Sequence, residues 1–161
     1  MVYIKPTKGL NFRREHYAPH PFMFIPAPMG NLSFGQMPKI IYRRTGEVIE
    51  AGEIRLRFGE HWGPNHGYGI HHILQEHRQL FQASPNVIAD VVEFIASIVQ
   101  PRAEIYCEFA SIRGKHRPIV VCRPHGQVVL EPKWACGVGD FYSVVTAIPT
   151  TQTKGPRIGA L

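Results

Sequence analysis

The order of hydrophobic periodicities along the chain is the feature that most constrains its fold. From Ile70 to Val99, apolar residues recur at helical spacing in two segments that Ser84-Pro85 separates. After Pro101 the apolar runs become short, follow a period of two and are separated by turns rich in glycine and proline. Helices followed by consecutive strands are typical of an α+β domain. We therefore predict an α+β fold with the helices packed on one face of a mainly antiparallel sheet.

The same patterns set the expected bounds of the elements. We expect a first helix over 70–81, and a second helix that Ser84 caps and that runs to about Val99. We expect residues 59–69 to form a loop, because they contain several glycines, a proline and an asparagine. Before this loop, the sequence predicts a hairpin with a glycine in its turn and one further strand: 39–44, 47–50 and 53–58. After the helices it predicts a meander of four strands: 103–109, 118–122, 127–130 and 141–148.

The first part of the chain differs from the rest in composition. Residues 1–38 carry five prolines among scattered aromatics after position 18, which opposes regular helix: Pro19, Pro21, Pro26, Pro28 and Pro38. We predict an N-terminal arm with little regular structure over 1–38 and a folded domain over 39–161.

Charge narrows the class of partner. The 161 residues include 18 Lys and Arg against 12 Asp and Glu, for a formal net charge of +6. A basic chain attracts polyanions, so nucleic acid or an acidic protein is the expected partner. The longest apolar runs are too short and too charged to span a bilayer, and the N-terminus lacks the features of a secretory signal. We therefore expect no membrane partner and a cytoplasmic location.

A glycine-rich segment from Gly67 to Gly69 precedes paired histidines at the start of the first helix. If that helix begins near Ile70, His72 lies in its first turn, where orphan N–H groups favour anions and where histidine can transfer protons near neutral pH. His77 points about 140° away from His72 around the helix. The alternative to a catalytic role is that these are solvent-exposed histidines at the start of a surface helix. Two loop histidines and a carboxylate remain open as a second acid–base group or an orienting partner: His61, His66 and Glu76.

Metal chemistry is an alternative for this histidine-rich stretch. Five histidines lie within seventeen positions: His61, His66, His71, His72 and His77. However, the HExxH spacing is absent, the three cysteines form no CxxC pair, and no downstream set matches an HNH-type nuclease. We expect no metal ligands and no cofactor, with an HNH-like metal nuclease left open.

Four segments together resemble a known family. They are Ala51-Gly52-Glu53-Ile54-Arg55-Leu56, the Gly67-Tyr68-Gly69 loop, His72-Ile73 with His77, and the strand Tyr142-Ser143-Val144-Val145-Thr146-Ala147-Ile148-Pro149. Their order is similar to that of the barnase/EndoU/colicin/RelE-like ribonuclease superfamily, in its phage and polymorphic-toxin branches. These branches include the tRNA-cleaving domains of contact-dependent inhibition proteins. The similarity covers 39–161 and leaves the N-terminal arm outside.

The resemblance implies a toxin-like, metal-independent RNA endonuclease that uses His72 and Thr146. Its substrate would be RNA, with tRNA as the leading choice, and its partner an acidic immunity or antitoxin protein. Some members carry a tyrosine two residues after the threonine, where this chain has Ile148. Tyr142, four positions before Thr146 and assigned to the same strand face, is a candidate substitute, with a core role as the alternative.

Cleavage by 2′-hydroxyl attack also needs positive charge near the phosphate. The best basic cluster lies in a turn between predicted strands and comprises Arg113, Lys115 and Arg117, with His116 among them. We assign these three cations and Gly69 to substrate binding, against the alternative of a solvated turn. Arg55 and Arg57 share one face of their strand, and a solvated face is favoured over a phosphate platform there. A non-catalytic binding domain of the same fold remains the other interpretation of the whole chain.

Overall fold

A large, mainly antiparallel sheet dominates the structure, together with two short helices. The computed structural model describes residues 20–81, 85–109, 118–152 and 155–161. Within these residues, the sheet has eight strands, and two small two-stranded sheets accompany it. The strands are β1 (Phe24–Ile25), β2 (Ser33–Met37), β3 (Ile40–Tyr42), β4 (Glu47–Ile49), β5 (Gly52–Arg57), β6 (Glu60–Gly63), β7 (His66–Tyr68), β8 (Glu104–Cys107), β9 (Ile119–Arg123), β10 (Gly126–Ala135), β11 (Gly139–Ile148) and β12 (Arg157–Ala160). The helices are α1 (Gly69–His77), which continues as a 3₁₀ turn over Arg78–Leu80, and α2 (Val87–Ile98).

The large sheet confirms the predicted meander. Strands β8, β9, β10 and β11 are consecutive antiparallel neighbours, and β12 adds to the outer edge of β8. On its other side, β11 pairs with β5 in parallel. The free edge of β5 is covered by two short antiparallel strands, β1 and β2. Strand β5 therefore connects the N-terminal half of the chain to the meander.

The expectation of little regular structure in the N-terminal arm is wrong for residues 20–37. Strands β1 and β2 belong to the main sheet, and three of their apolar side chains are buried: Phe24, Ile25 and Met37. The prolines did not prevent this pairing because they flank the two strands, and an edge strand tolerates a missing N–H. The division of the chain at residue 38 stays a prediction, and residues 1–19 lie outside the described ranges.

Both predicted helices are present with small changes at their ends. Helix α2 begins at Val87 with Asn86 at its N-cap position, so the predicted cap at Ser84 is wrong; Ser84 itself lies outside the described residues. One hydrophobic core combines residues of α1, α2 and the sheet, including Ile70, Ile95 and Leu56. Neither helix in the described part of the chain is long and apolar enough to cross a membrane.

The segment predicted as a loop over 59–69 is instead a β-hairpin. Strands β6 and β7 pair in an antiparallel manner around Pro64 and Asn65, with His61 opposite Gly67. Asn65 adopts a φ of 59°, which asparagine tolerates better than most residues. The turn lacks the Asn-Gly or Asp-Gly pair that usually marks such hairpins, so the pattern predicted a loop. The β3–β4 hairpin, in contrast, forms as predicted.

Candidate functional site

The β6–β7 hairpin places His61 against His72 of helix α1. Their Nδ1 atoms are 3.1 Å apart, and the two rings lie edge to edge, with planes inclined by 28° and centroids separated by 5.3 Å. His72 is only 4% exposed, and His61 is partly buried. A contact of this length between ring nitrogens is a hydrogen bond in which one ring donates and the other accepts. Of the three residues left open as partners of His72, the structure therefore brings His61 into contact with it.

Two glycines allow this close approach of hairpin and helix. A Cβ atom on Gly67 would lie 2.7 Å from His72 Nδ1 and 2.4 Å from the Glu60 carbonyl oxygen, and Gly67 has a φ of +149°. Gly69, at a φ of +78°, is packed against the carbonyl oxygens of Arg57 and Phe58. Both positions exclude a side chain because backbone lies where the Cβ would be. The geometry thus gives Gly69 a packing role, and its assignment to substrate binding stays a prediction.

Glu76 lies one helical turn after His72 and completes a small cluster. It comes near the two histidines, and one potential ligand atom from each of His61, His72 and Glu76 lies within 4.8 Å of the other two. The backbone N–H of Asn65, in the hairpin turn, donates a hydrogen bond of 2.7 Å to Glu76 Oε1. Hairpin and helix are therefore joined at two points, the histidine contact and this hydrogen bond. We call His61, His72 and Glu76 the histidine cluster.

The other two histidines of helix α1, His71 and His77, are partly buried, and burial lowers the pKa of each. Burial lowers the pKa of His71, and the nearby His61 lowers it further, while Glu60 opposes the change. Burial also lowers the pKa of His77, against a smaller opposing effect of Glu76. Both shifts favour the neutral imidazole at neutral pH. His77 is not part of the histidine cluster.

Thr146 lies on β11 just beyond a β-bulge that changes which side chains face the core. Leu130 pairs with Val144, whereas Val129 pairs with Thr146, so Val145 is the extra residue. Val144 and Ala147 belong to the core, and Thr146 therefore points to the opposite face of the sheet. Its Oγ1 is buried and has no hydrogen-bond partner among the described residues.

The bulge corrects the assignment of Tyr142 and Thr146 to one strand face. Tyr142 faces the core and is 5% exposed, and its hydroxyl donates a hydrogen bond to the Glu50 carbonyl. Burial and the nearby Glu50 raise the pKa of Tyr142 to about 12. The structure thus supports the core alternative for Tyr142, and its catalytic role stays a prediction. The apolar side chains of α1 belong to the core, whereas Thr146 points to the opposite face of the sheet. Thr146 Oγ1 has no hydrogen-bond partner among the described residues, so it is not bonded to His72, and the convergence of the two residues on one cleft stays a prediction.

Arg57 is buried, so the expectation of a solvated face is wrong for this residue. Its side chain is 3% exposed, and Nε donates a hydrogen bond of 2.8 Å to Ser143 Oγ on β11. The guanidinium lies 4.0 Å from the centre of the Tyr68 ring, while Nη2 is buried with no hydrogen-bond partner in the described residues. Burial lowers the pKa of Arg57, and the charges of Tyr68, Glu131 and Glu60 oppose the shift. Arg55 is only partly buried and pairs with Glu53 at 2.6 Å.

The basic turn predicted to bind substrate falls outside the described ranges. It comprises Arg113, Lys115 and Arg117, together with His116. The strands that flank this segment, β8 and β9, are neighbours in the meander. The binding role of these cations therefore stays a prediction.

The sequence marked His72 but did not single out His61. One sequence feature could have identified His61. A two-residue turn at Pro64 and Asn65 places His61 opposite Gly67, next to the start of helix α1. Finding it required recognising 59–69 as a hairpin. Comparison with family models, with curated proteins and with solved structures finds no match.

Proposed function

We propose that this protein is a toxin-like, metal-independent RNA endonuclease whose acid–base pair is His61 and His72. The observation that carries the proposal is the 3.1 Å contact between the two Nδ1 atoms. Cleavage by 2′-hydroxyl attack requires one group that accepts a proton and another that donates one. A contacting pair of imidazoles supplies both.

The shared proton sets the roles of the other two ring nitrogens. A neutral imidazole carries its proton on one nitrogen only. The ring that donates through Nδ1 therefore has a bare Nε2, which can accept the proton of the 2′-hydroxyl. The ring that accepts at Nδ1 carries its proton on Nε2, which can protonate the leaving 5′-oxygen. The 2′-oxygen bonds to phosphorus, the bond to the 5′-oxygen breaks, and a 2′,3′-cyclic phosphate remains.

The transferring phosphate also needs stabilisation by donors or positive charge. We assign this to the Thr146 hydroxyl and to Arg113, Lys115 and Arg117. The buried Thr146 Oγ1 has no hydrogen-bond partner in the described part of the chain, so it is available as a donor. The net charge of +6 favours a polyanionic substrate. We also propose that both helices pack on one face of the sheet, as the order of helices and strands in the sequence predicts.

The substrate is proposed to be tRNA, and an acidic immunity or antitoxin protein is the proposed partner. Both follow from the resemblance of the sequence, and the basic charge of the chain agrees with them. The proposed location is the cytoplasm of the producing or target cell, where tRNA is found.

Three histidine variants test the proposal. His61→Ala and His72→Ala should each slow RNA cleavage by about 10²- to 10⁴-fold, the usual contribution of a general acid or base. His77→Ala, on the same helix but outside the histidine cluster, should retain most of the activity. Initial rates on total tRNA give the comparison, and circular dichroism checks the fold of each variant. Equal rates in all three variants, or no cleavage by the wild type, would contradict the proposal; the latter result favours a non-catalytic binding domain.

A further inference from the structure

We propose that His61, His72 and Glu76 also form a binding site for a divalent transition-metal ion of the zinc class. One ligand atom from each residue lies within 4.8 Å of those from the other two. Two imidazoles and one carboxylate are a common ligand set for such ions. This inference concerns binding and stands apart from the proposed RNA cleavage.

The separation of the two histidines fits metal ligation. Zinc binds imidazole nitrogen at about 2.0–2.1 Å, so two nitrogens of a tetrahedral site lie about 3.4 Å apart. The observed Nδ1 separation is 3.1 Å, so the two nitrogens need to separate by only a few tenths of an ångström, while each ring turns until its lone pair points at the ion. The Glu76 carboxylate lies on a flexible side chain and can close the remaining gap.

The supporting structure holds the three ligands before any ion binds. His72 and Glu76 are one turn apart on the same face of α1, and His61 comes from the hairpin strand β6. The Asn65 N–H orients Glu76 through Oε1, which is the kind of outer hydrogen bond that positions metal ligands. His61 and Glu76 are partly exposed, so an ion and one or more waters can reach the site.

The ligand chemistry selects the kind of ion. Nitrogen ligands favour zinc, cobalt, nickel and copper, whereas magnesium and calcium prefer all-oxygen sites. Ligation at both Nδ1 atoms displaces the proton that the two rings share. On the proposed function, the bound ion therefore inhibits RNA cleavage, because the acid–base pair is lost.

Titration with zinc and cobalt tests the site in the absence of RNA. Calorimetry with zinc chloride should show one tight site per chain. Cobalt(II) should give the visible absorption bands of an ion with four or five nitrogen and oxygen ligands. His61→Ala and Glu76→Gln should each weaken zinc binding by at least about tenfold. His66→Ala, an exposed histidine on the same hairpin, and His77→Ala are the matched controls and should bind as the wild type does. Circular dichroism checks that each variant is folded.

The outcomes separate this inference from the proposed function. Weak zinc binding by the wild type, or equal binding by His61→Ala, Glu76→Gln and the two controls, would overturn the metal site and leave the RNA proposal standing. Tight binding that depends on His61 and Glu76 supports the site, even if the protein cleaves no RNA. Cleavage that requires zinc would also support the site while overturning the metal-free mechanism.

Discussion

Gly67 determines how closely the hairpin can approach His72. A Cβ atom there would lie 2.7 Å from His72 Nδ1 and 2.4 Å from the Glu60 carbonyl oxygen. Gly63, in the same hairpin, has nearly the same φ, +146° against +149°, but a Cβ atom on Gly63 would meet nothing within 4 Å among the described residues. An alanine would therefore strain the backbone to a similar extent at Gly63 and at Gly67, but its Cβ atom would clash with neighbouring atoms only at Gly67.

Gly67→Ala should lower the free energy of unfolding by at least about 1 kcal/mol more than Gly63→Ala does, because hairpin and helix must separate. It should also reduce RNA cleavage, since His61 and His72 no longer meet at the same distance. Urea unfolding and cleavage rates measure the two effects. Equal stability and activity in the two variants would show that the contact between hairpin and helix is unimportant.

At the level of single residues, the sequence located one half of the histidine pair. The helix start and its glycines identified His72, because helical periodicity and glycine positions are local signals. His61 was left among several possibilities, because its contact with His72 depends on a hairpin without a recognisable turn sequence. Arg57 was misjudged for a related reason. Alternation showed its strand face but not that the rings of Phe22, Tyr68 and Phe141 cover its guanidinium.

Among the elements, the pair β5 and β11 connects the two halves of the sheet. The two strands are parallel, and Arg57 joins them through its hydrogen bond to Ser143. Arg57 also lies over the ring of Tyr68, the residue directly before helix α1. We infer that Arg57 helps to position the start of the helix that carries His72.

Arg57→Ala should therefore lower the free energy of unfolding by about 2–3 kcal/mol, from lost packing and the lost hydrogen bond to Ser143. Arg55→Ala removes a partly exposed ion pair on the same strand face and should cost no more than about 1 kcal/mol. Urea titrations of both variants give the comparison. Similar small losses would mean that Arg57 is not a structural link between β5 and β11.

The elements were predicted better than their details. The order of helices and meander followed from periodicity, which is a local property of each segment. The bulge at Val145 could not be predicted from the sequence. Val144, Val145, Ala147 and Ile148 are all apolar, so the pattern of apolar residues fits a regular strand and a bulged strand equally well. The strands of residues 20–37 were missed because their pairing with β5 is a long-range contact that proline content obscured.

For the whole molecule, the net charge of +6 predicts how RNA binding responds to salt. The His72→Ala variant should bind tRNA without cleaving it, and the logarithm of its binding constant should fall linearly with the logarithm of salt concentration. A DNA oligonucleotide of the same length should show a similar slope, because phosphate contacts do not depend on the 2′-hydroxyl. Fluorescence anisotropy measures both. Binding that salt does not weaken would argue against a phosphate-binding surface.

The most direct test of the central claim is an RNA cleavage assay with chelator. Purified protein is incubated with tRNA in EDTA, and the new ends are identified by mass spectrometry. Cleavage should persist and leave 2′,3′-cyclic phosphate, and an RNA with a 2′-deoxy residue at the cut site should bind but resist cleavage. Loss of cleavage in EDTA, or cutting of the 2′-deoxy substrate, would contradict the account in which His61 and His72 supply the acid and the base.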